Sequence, residues 1–201
     1  MKNITPILAV FSTVFFWGSS FPVMSYLLET ASPLVLGAGR FSLAALISLI
    51  WCLYSYKNIT LKHAIRFLIA GFIGIFLYNV FLNYGQQSVS AGASSFIVNC
   101  NPLFTALIGF FILKQKVTII HWLGITFCLL GVSIISIDQE GGLELGSGAT
   151  LILFAATLTA TYFHILKPLV LIYGAITSAA YTILLGTIPM LFWFPEMFGF
   201  V

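Results

Sequence analysis

The chain has 201 residues, of which 60% are apolar and only 6% charged, and its mean hydropathy is +1.10. Water-soluble domains carry about a quarter charged residues, so composition excludes an ordinary soluble fold. The formal charge of +3 is spread over short joints and offers no concentrated basic face to nucleic acid.

Seven apolar blocks occur in order: Ile4–Leu28, Pro33–Ser55, Ala64–Leu82, Ala91–Leu113, Trp122–Ile137, Ala149–Leu166 and Ala175–Phe194. Most are about 18–25 residues long, and a bilayer core of about 30 Å needs about 20 at helical rise. Period-2 alternation over roughly ten residues, the mark of a transmembrane barrel strand, is missing. The pattern predicts an all-α integral membrane protein with seven transmembrane helices. In the first block, Trp17-Gly18-Ser19-Ser20-Phe21-Pro22 offers no small-residue cleavage site, so the block is expected to be retained.

The joints alternate in sign. Lys2, then Lys57, Lys62 and Arg66, then Lys114 and Lys116, then Lys167 occupy the N-terminus and every second joint. Glu29, then Asp138, Glu140 and Glu144, then Glu196 occupy the others. Lys and Arg stay cytoplasmic during insertion, so the expected topology has a cytoplasmic N-terminus and an extracytoplasmic C-terminus for this chain. A bacterial-type inner membrane is the expected location. A seven-helix receptor, the rival suggested by helix count, would have the N-terminus outside.

The Gly-rich acidic loop 138–148 divides the chain into five spans, residues 1–137, and two more, residues 149–201. A shift of 142 residues lays Thr159-Ala160-Thr161-Tyr162-Phe163 on Trp17-Gly18-Ser19-Ser20-Phe21, and Ala175–Pro189 on Pro33–Ile47. An odd number of crossings would turn the second copy upside down, the arrangement that builds many secondary transporters around a midplane site.

Arg40, the one Lys or Arg that does not sit at a basic joint, lies within the second span, about 10 Å from its start at 1.5 Å per residue. An Arg at a helix centre costs about 2.5–3.5 kcal/mol, and the ten Leu, Ile, Val and Phe residues of that span return about 0.3–0.6 each. Two readings stand: a guanidinium facing the bundle interior to hold a substrate carboxylate, or one that snorkels outward toward Glu29. In the first span Thr13, Trp17, Ser20 and Met24 form a stripe, with Trp17 too deep for an interfacial belt. The third span carries Tyr78 and Asn79 at pocket depth, with Asn83 and Gln86 expected near the outer mouth. The fourth has a small and polar stripe through Gly92, Ser95, Asn99, Ala106 and Gly109, and Pro102 removes a backbone donor beside Asn99 and Asn101, predicting a kink. The fifth has Gly124, Cys128 and Gly131 as a packing seam. The sixth aligns Thr150, Thr157, Thr161 and His164, the last either a ligand contact or a loop anchor. The candidate substrate contacts are therefore Trp17, Arg40, Tyr78, Asn79, Asn99, Asn101 and His164.

No Asp or Glu falls within a span, and no catalytic set, metal-spaced cluster or cofactor motif is present, so neither an enzyme nor a cofactor is expected. The cysteines Cys52, Cys100 and Cys128 are odd in number, lie within spans and read as packing residues.

Several short motifs occur in a fixed order. Trp17-Gly18-Ser19-Ser20-Phe21 comes first, then Pro33 with Arg40-Phe41, then Ala91-Gly92-Ala93-Ser94-Ser95 leading to Pro102. Leu113-Lys114-Gln115-Lys116-Val117-Thr118, Trp122-Leu123-Gly124 and Gly131-Val132 complete the set. Together they resemble one complete EamA domain of the drug/metabolite transporter superfamily, and residues 146–201 resemble the first two helices of a second. The resemblance implies a permease or exporter of small amphiphilic metabolites, such as amino acids and their derivatives, working by alternating access between inverted repeats. Its partners would be a small-molecule substrate and membrane lipid, with a homo-oligomer or a missing C-terminal segment as further possibilities. Gln115 stands where the family carries Glu. Members generally have ten helices, so the chain is expected to be truncated, and a fragment without transport of its own is the alternative.

Overall fold

The computed structural model describes residues 5–115, 118–138 and 146–199. Lys2, Lys116, Glu140, Glu144 and most of the Gly-rich loop lie outside the described residues. Within them are seven long helices and no strand. They are α1 (Thr5–Leu27), α2 (Pro33–Tyr54), α3 (Leu61–Gln86), α4 (Ala91–Phe111), α5 (Ile119–Asp138), α6 (Ser147–Tyr173) and α7 (Ala175–Trp193). Six of them, α1–α4, α6 and α7, are long and apolar enough to cross a membrane.

Local chemistry sets several of the ends. The Ser32 hydroxyl accepts from Val35 N at 3.3 Å, and Pro33 stands at the first helical position, where its missing N–H costs nothing. Ser90 caps α4 in the same way through Ala93 N. The joint between α6 and α7 is a single residue, Gly174, at φ 84° and ψ 161°, a region open almost only to glycine.

Two helices run further than their hydropathy suggests. α3 begins at Leu61 and continues to Gln86, because its outer polar residues find partners inside the bundle. Asn83 Nδ2 donates to Pro33 O at 2.9 Å, and Gln86 Nε2 donates to Phe21 O at 2.8 Å and Ser25 Oγ at 2.9 Å. Both side chains are buried, where the sequence places them at a wet mouth. α6 passes through Lys167 and Pro168 to Tyr173, so Lys167 belongs to a helix and not to a loop.

Contacts between ends define the directions. Gly85 and Gly148 meet at one end of the bundle, and His63 meets Tyr173 at the other, 2.7 Å between Nδ1 and Oη. α3 and α6 are therefore antiparallel over their whole length. Gln86 on Phe21 and Ser25 makes α1 parallel to α3. Two apolar clusters occupy the two ends. Phe21, Met24, Leu36, Leu82, Ile97 and Ile152 pack at the Gly85 end, and Phe67, Ala70, Leu166 and Leu169 at the His63 end.

Many large apolar side chains face outward: Ile47, Leu53, Phe111, Ile120, Phe127, Leu171 and Phe192 are each more than 60% exposed. Such a perimeter is stable in hydrocarbon and not in water. Substituting Gly174→Ala should lower stability by about 1–3 kcal/mol, because a Cβ does not tolerate this backbone region. Gly92→Ala, whose added methyl meets nothing within 4 Å, should leave stability within about 1 kcal/mol of the parent or raise it. Thermal unfolding of both variants in detergent micelles checks the contrast.

Candidate functional site

Helix α3 carries the feature that shapes the site. Residues Phe72–Leu77 form a π-helical segment, and Tyr78 N reaches back five residues to Ile73 O. Such turns add a residue to the helix, rotate its later side chains around the axis and are frequent at functional positions. Here Tyr78 and Asn79 come directly after it. The Asn79 side chain donates to Ile75 O at 2.7 Å, within the widened turn. Gly74 lies against the ring of Tyr162 on α6, where a Cβ has no room.

The second irregularity is in α4. Its helix stops at Val98 and restarts at Asn101, with Asn99 N bonded to Ser95 O at 3.1 Å and Cys100 N to Ile97 O at 3.1 Å. The break sits beside Pro102, as the missing N–H dictates.

Between the two apolar clusters lies a cavity of about 730 Å³ walled by α1, α2, α3 and α6. Trp17, Arg40, Tyr78 and Asn79, four of the seven candidate residues, line it together. Arg40 is the one charged side chain among its described lining residues. Its Nη1 donates to Met24 Sδ at 2.8 Å, and its guanidinium carbon lies 6.0 Å from the Phe41 ring centre. Among the described residues it makes no ion pair with Glu29. Asn79 is buried, Tyr78 is half-buried, and Trp17 keeps 48% of its surface exposed along the cavity wall.

A second cavity of about 430 Å³ adjoins the first and shares Thr13, Trp17, Tyr78 and Thr159 with it. Asn99, Asn101 and Pro102 line this one. His164 lines neither: its Nε2 sits 3.1 Å from Thr105 O, tying α6 to α4. In the expected seam of α5, Gly131 is packed against Phe96, while Gly124 faces open space.

Three cavity residues escape a reading of the sixth span by its threonine stripe. Thr157 and Thr161 spend their hydroxyls on Leu153 O and Thr157 O of their own helix. The face toward the cavity carries Thr159, Tyr162 and Phe163 instead. A signal for them exists in the shift of 142 residues, which pairs Thr159, Tyr162 and Phe163 with Trp17, Ser20 and Phe21. All six line the same cavity.

The EamA-like transporter family model matches residues 4–137. This chain belongs to that family. Among curated relatives, an uncharacterised transporter of Bacillus subtilis, YdfC, is 32% identical over 182 residues, covering 90% of this chain and 60% of the relative. An uncharacterised transporter of Archaeoglobus fulgidus is 28% identical, covering 92% and 65%. A probable terminal-alkyne amino-acid exporter of Streptantibioticus cattleyicolor is 25% identical, covering 98% and 66%. The chain thus spans less than two thirds of the length of these relatives. No solved structure matches it significantly. Family membership and the six apolar helices make the chain a multi-pass membrane protein of a transporter family.

Gln86 is part of the wall, not of the cavity. Gln86→Leu should lower stability by about 1–3 kcal/mol, since it leaves buried Phe21 O and Ser25 without their donor. Thermal unfolding in micelles checks this, and the variant should keep its α-helical circular dichroism at 20 °C.

Proposed function

We propose that this chain is a bacterial-type inner-membrane permease for small amphiphilic metabolites, amino acids and their derivatives foremost, and that the Arg40 cavity is its substrate site. The observation that carries the reading is the cavity itself. It lies between the two apolar clusters along α3 and α6, and it gathers an arginine, an indole, a phenol and an amide. Transporter sites sit at this depth, where a substrate is reachable from each face in turn.

The paired positions on α1 and α6 support an inverted-repeat mechanism. Helices running in opposite directions present equivalent residues to one space, and rocking one unit against the other would expose that space alternately. α5 would be a further crossing, giving seven in this chain. The N-terminus would then be cytoplasmic and the last described residues extracytoplasmic, in line with the basic joints. The probable amino-acid exporter among the relatives favours the same substrate class.

Exchange flux in proteoliposomes tests the reading. Vesicles holding the purified chain and loaded with unlabelled phenylalanine, leucine, methionine or serine should accumulate the labelled counterpart of at least one of them above empty vesicles. Trp17→Ala should cut that flux at least fivefold without loss of folded protein. Flux equal to empty vesicles for every compound, with the protein folded and inserted, would remove the proposal.

A further inference from the structure

The two adjoining cavities differ in what they lack, and the difference specifies a ligand. In the larger one Arg40 has no carboxylate opposite it, and its hydrogen bonding among the described residues is one contact to the Met24 thioether. A guanidinium has five N–H donors in a planar fork matched to a carboxylate. Thioether sulfur is a weak acceptor. The Arg40 side chain is exposed toward this space, so a molecule that enters can supply the missing negative charge.

The described lining of the smaller cavity carries no charge but two amides with spare hydrogen-bonding capacity. Asn99 spends one N–H on Ser95 O at 2.8 Å, which leaves its carbonyl oxygen as an acceptor and its second N–H as a donor. The Thr105 hydroxyl donates to Asn101 backbone O at 2.9 Å and lies 3.3 Å from its Oδ1, which leaves the Asn101 NH2 as a donor. Together the two amides offer both an acceptor and a donor, which complement the N–H and C=O of an amide. Trp17 and Tyr78, with Thr13 and Thr159, line both cavities. The larger volume alone falls in the range, about 300–1,000 Å³, of pockets that enclose drug-sized ligands. A free small amino acid would leave most of it wet.

We infer that the site takes a two-ended ligand: a carboxylate held by Arg40, a flat apolar middle between Trp17 and Tyr78, and an amide read by Asn99 and Asn101. N-acylated or otherwise amide-bearing aromatic acids are the class described. The inference rests on the Arg40 cavity being the substrate site and narrows what that site selects.

Calorimetric binding to the purified chain in detergent tests it with four probes. 4-Acetamidophenylacetate has both ends, phenylacetate only the acid, 4-methylacetanilide only the amide, and phenethylamine a cation. The two-ended probe should bind at least tenfold tighter than either single-ended one, and phenethylamine weakest. Arg40→Gln should weaken the two-ended probe at least tenfold while changing 4-methylacetanilide less than threefold, and Arg40→Lys should fall between. Asn99→Ala combined with Asn101→Ala should do the reverse, sparing phenylacetate. Phenethylamine binding as tightly as phenylacetate, or Arg40→Gln weakening the acid and the neutral amide equally, would overturn the inference. So would failure of all four probes to bind folded protein. Amino-acid flux in proteoliposomes that survives such a result leaves the transport reading standing, whereas absent flux removes both.

Discussion

Helix α3 touches α6 and α7 at three places where glycine lets backbone approach backbone or ring. Gly71 faces Gly186, with room for a Cβ on neither side. Gly74 receives the Tyr162 ring, and Gly85 lies on Gly148 beside Ile152. Hydrocarbon gives apolar helices no hydrophobic reason to associate, so close packing through small residues has to supply the attraction. Everything at the site depends on this seam. It holds α3 at the centre of the bundle, keeps α6 antiparallel to it from end to end and fixes the distance at which α1 can approach across the cavity.

The seam also explains why the irregular backbone is tolerated. A π turn and a broken helix expose peptide groups that hydrocarbon would penalise by several kcal/mol each. The π turn in α3 is placed where Gly74 is covered by Tyr162 and where Asn79 bonds Ile75 O. The break in α4 is flanked by Asn99 bonding Ser95 O and by Thr105 bonding Asn101 O at 2.9 Å. Polar side chains near these breaks thus satisfy their own helices first. Arg40 and the amides of Asn79, Asn99 and Asn101 keep hydrogen-bonding capacity beyond these bonds, and the proposed ligand is built on that of Arg40, Asn99 and Asn101.

Much of this was legible in the sequence because lipid imposes a simple length rule and because charge marks the joints. Six of the seven apolar blocks coincide with helices long and apolar enough to span, and the proline in the fourth block marks the break. Arg40 stood out as a lone cation, and Trp17, Tyr78 and Asn79 joined it by helical spacing. The π turn was not legible, since Phe72–Leu77 reads as an unremarkable apolar run and only the Tyr162 ring against Gly74 gives it a cause. The burial of Asn83 and Gln86 was misjudged for a related reason: hydropathy registers their polarity and not the carbonyls of Pro33 and Phe21 waiting across the bundle. Tyr162 and Phe163 were visible only through the pairing with Ser20 and Phe21, a signal of register, not of residue identity.

The Gly74–Tyr162 contact is the point at which seam and cavity meet, and a double-mutant cycle measures it most directly. Thermal unfolding in micelles of Gly74→Ala, Tyr162→Ala and the double variant should be strongly non-additive. The added methyl is tolerated once the ring is gone, giving a coupling of about 1–3 kcal/mol. Additive costs, within about 0.5 kcal/mol, would show that the ring does not rest on Gly74 and would contradict the account of how α3 and α6 hold the site.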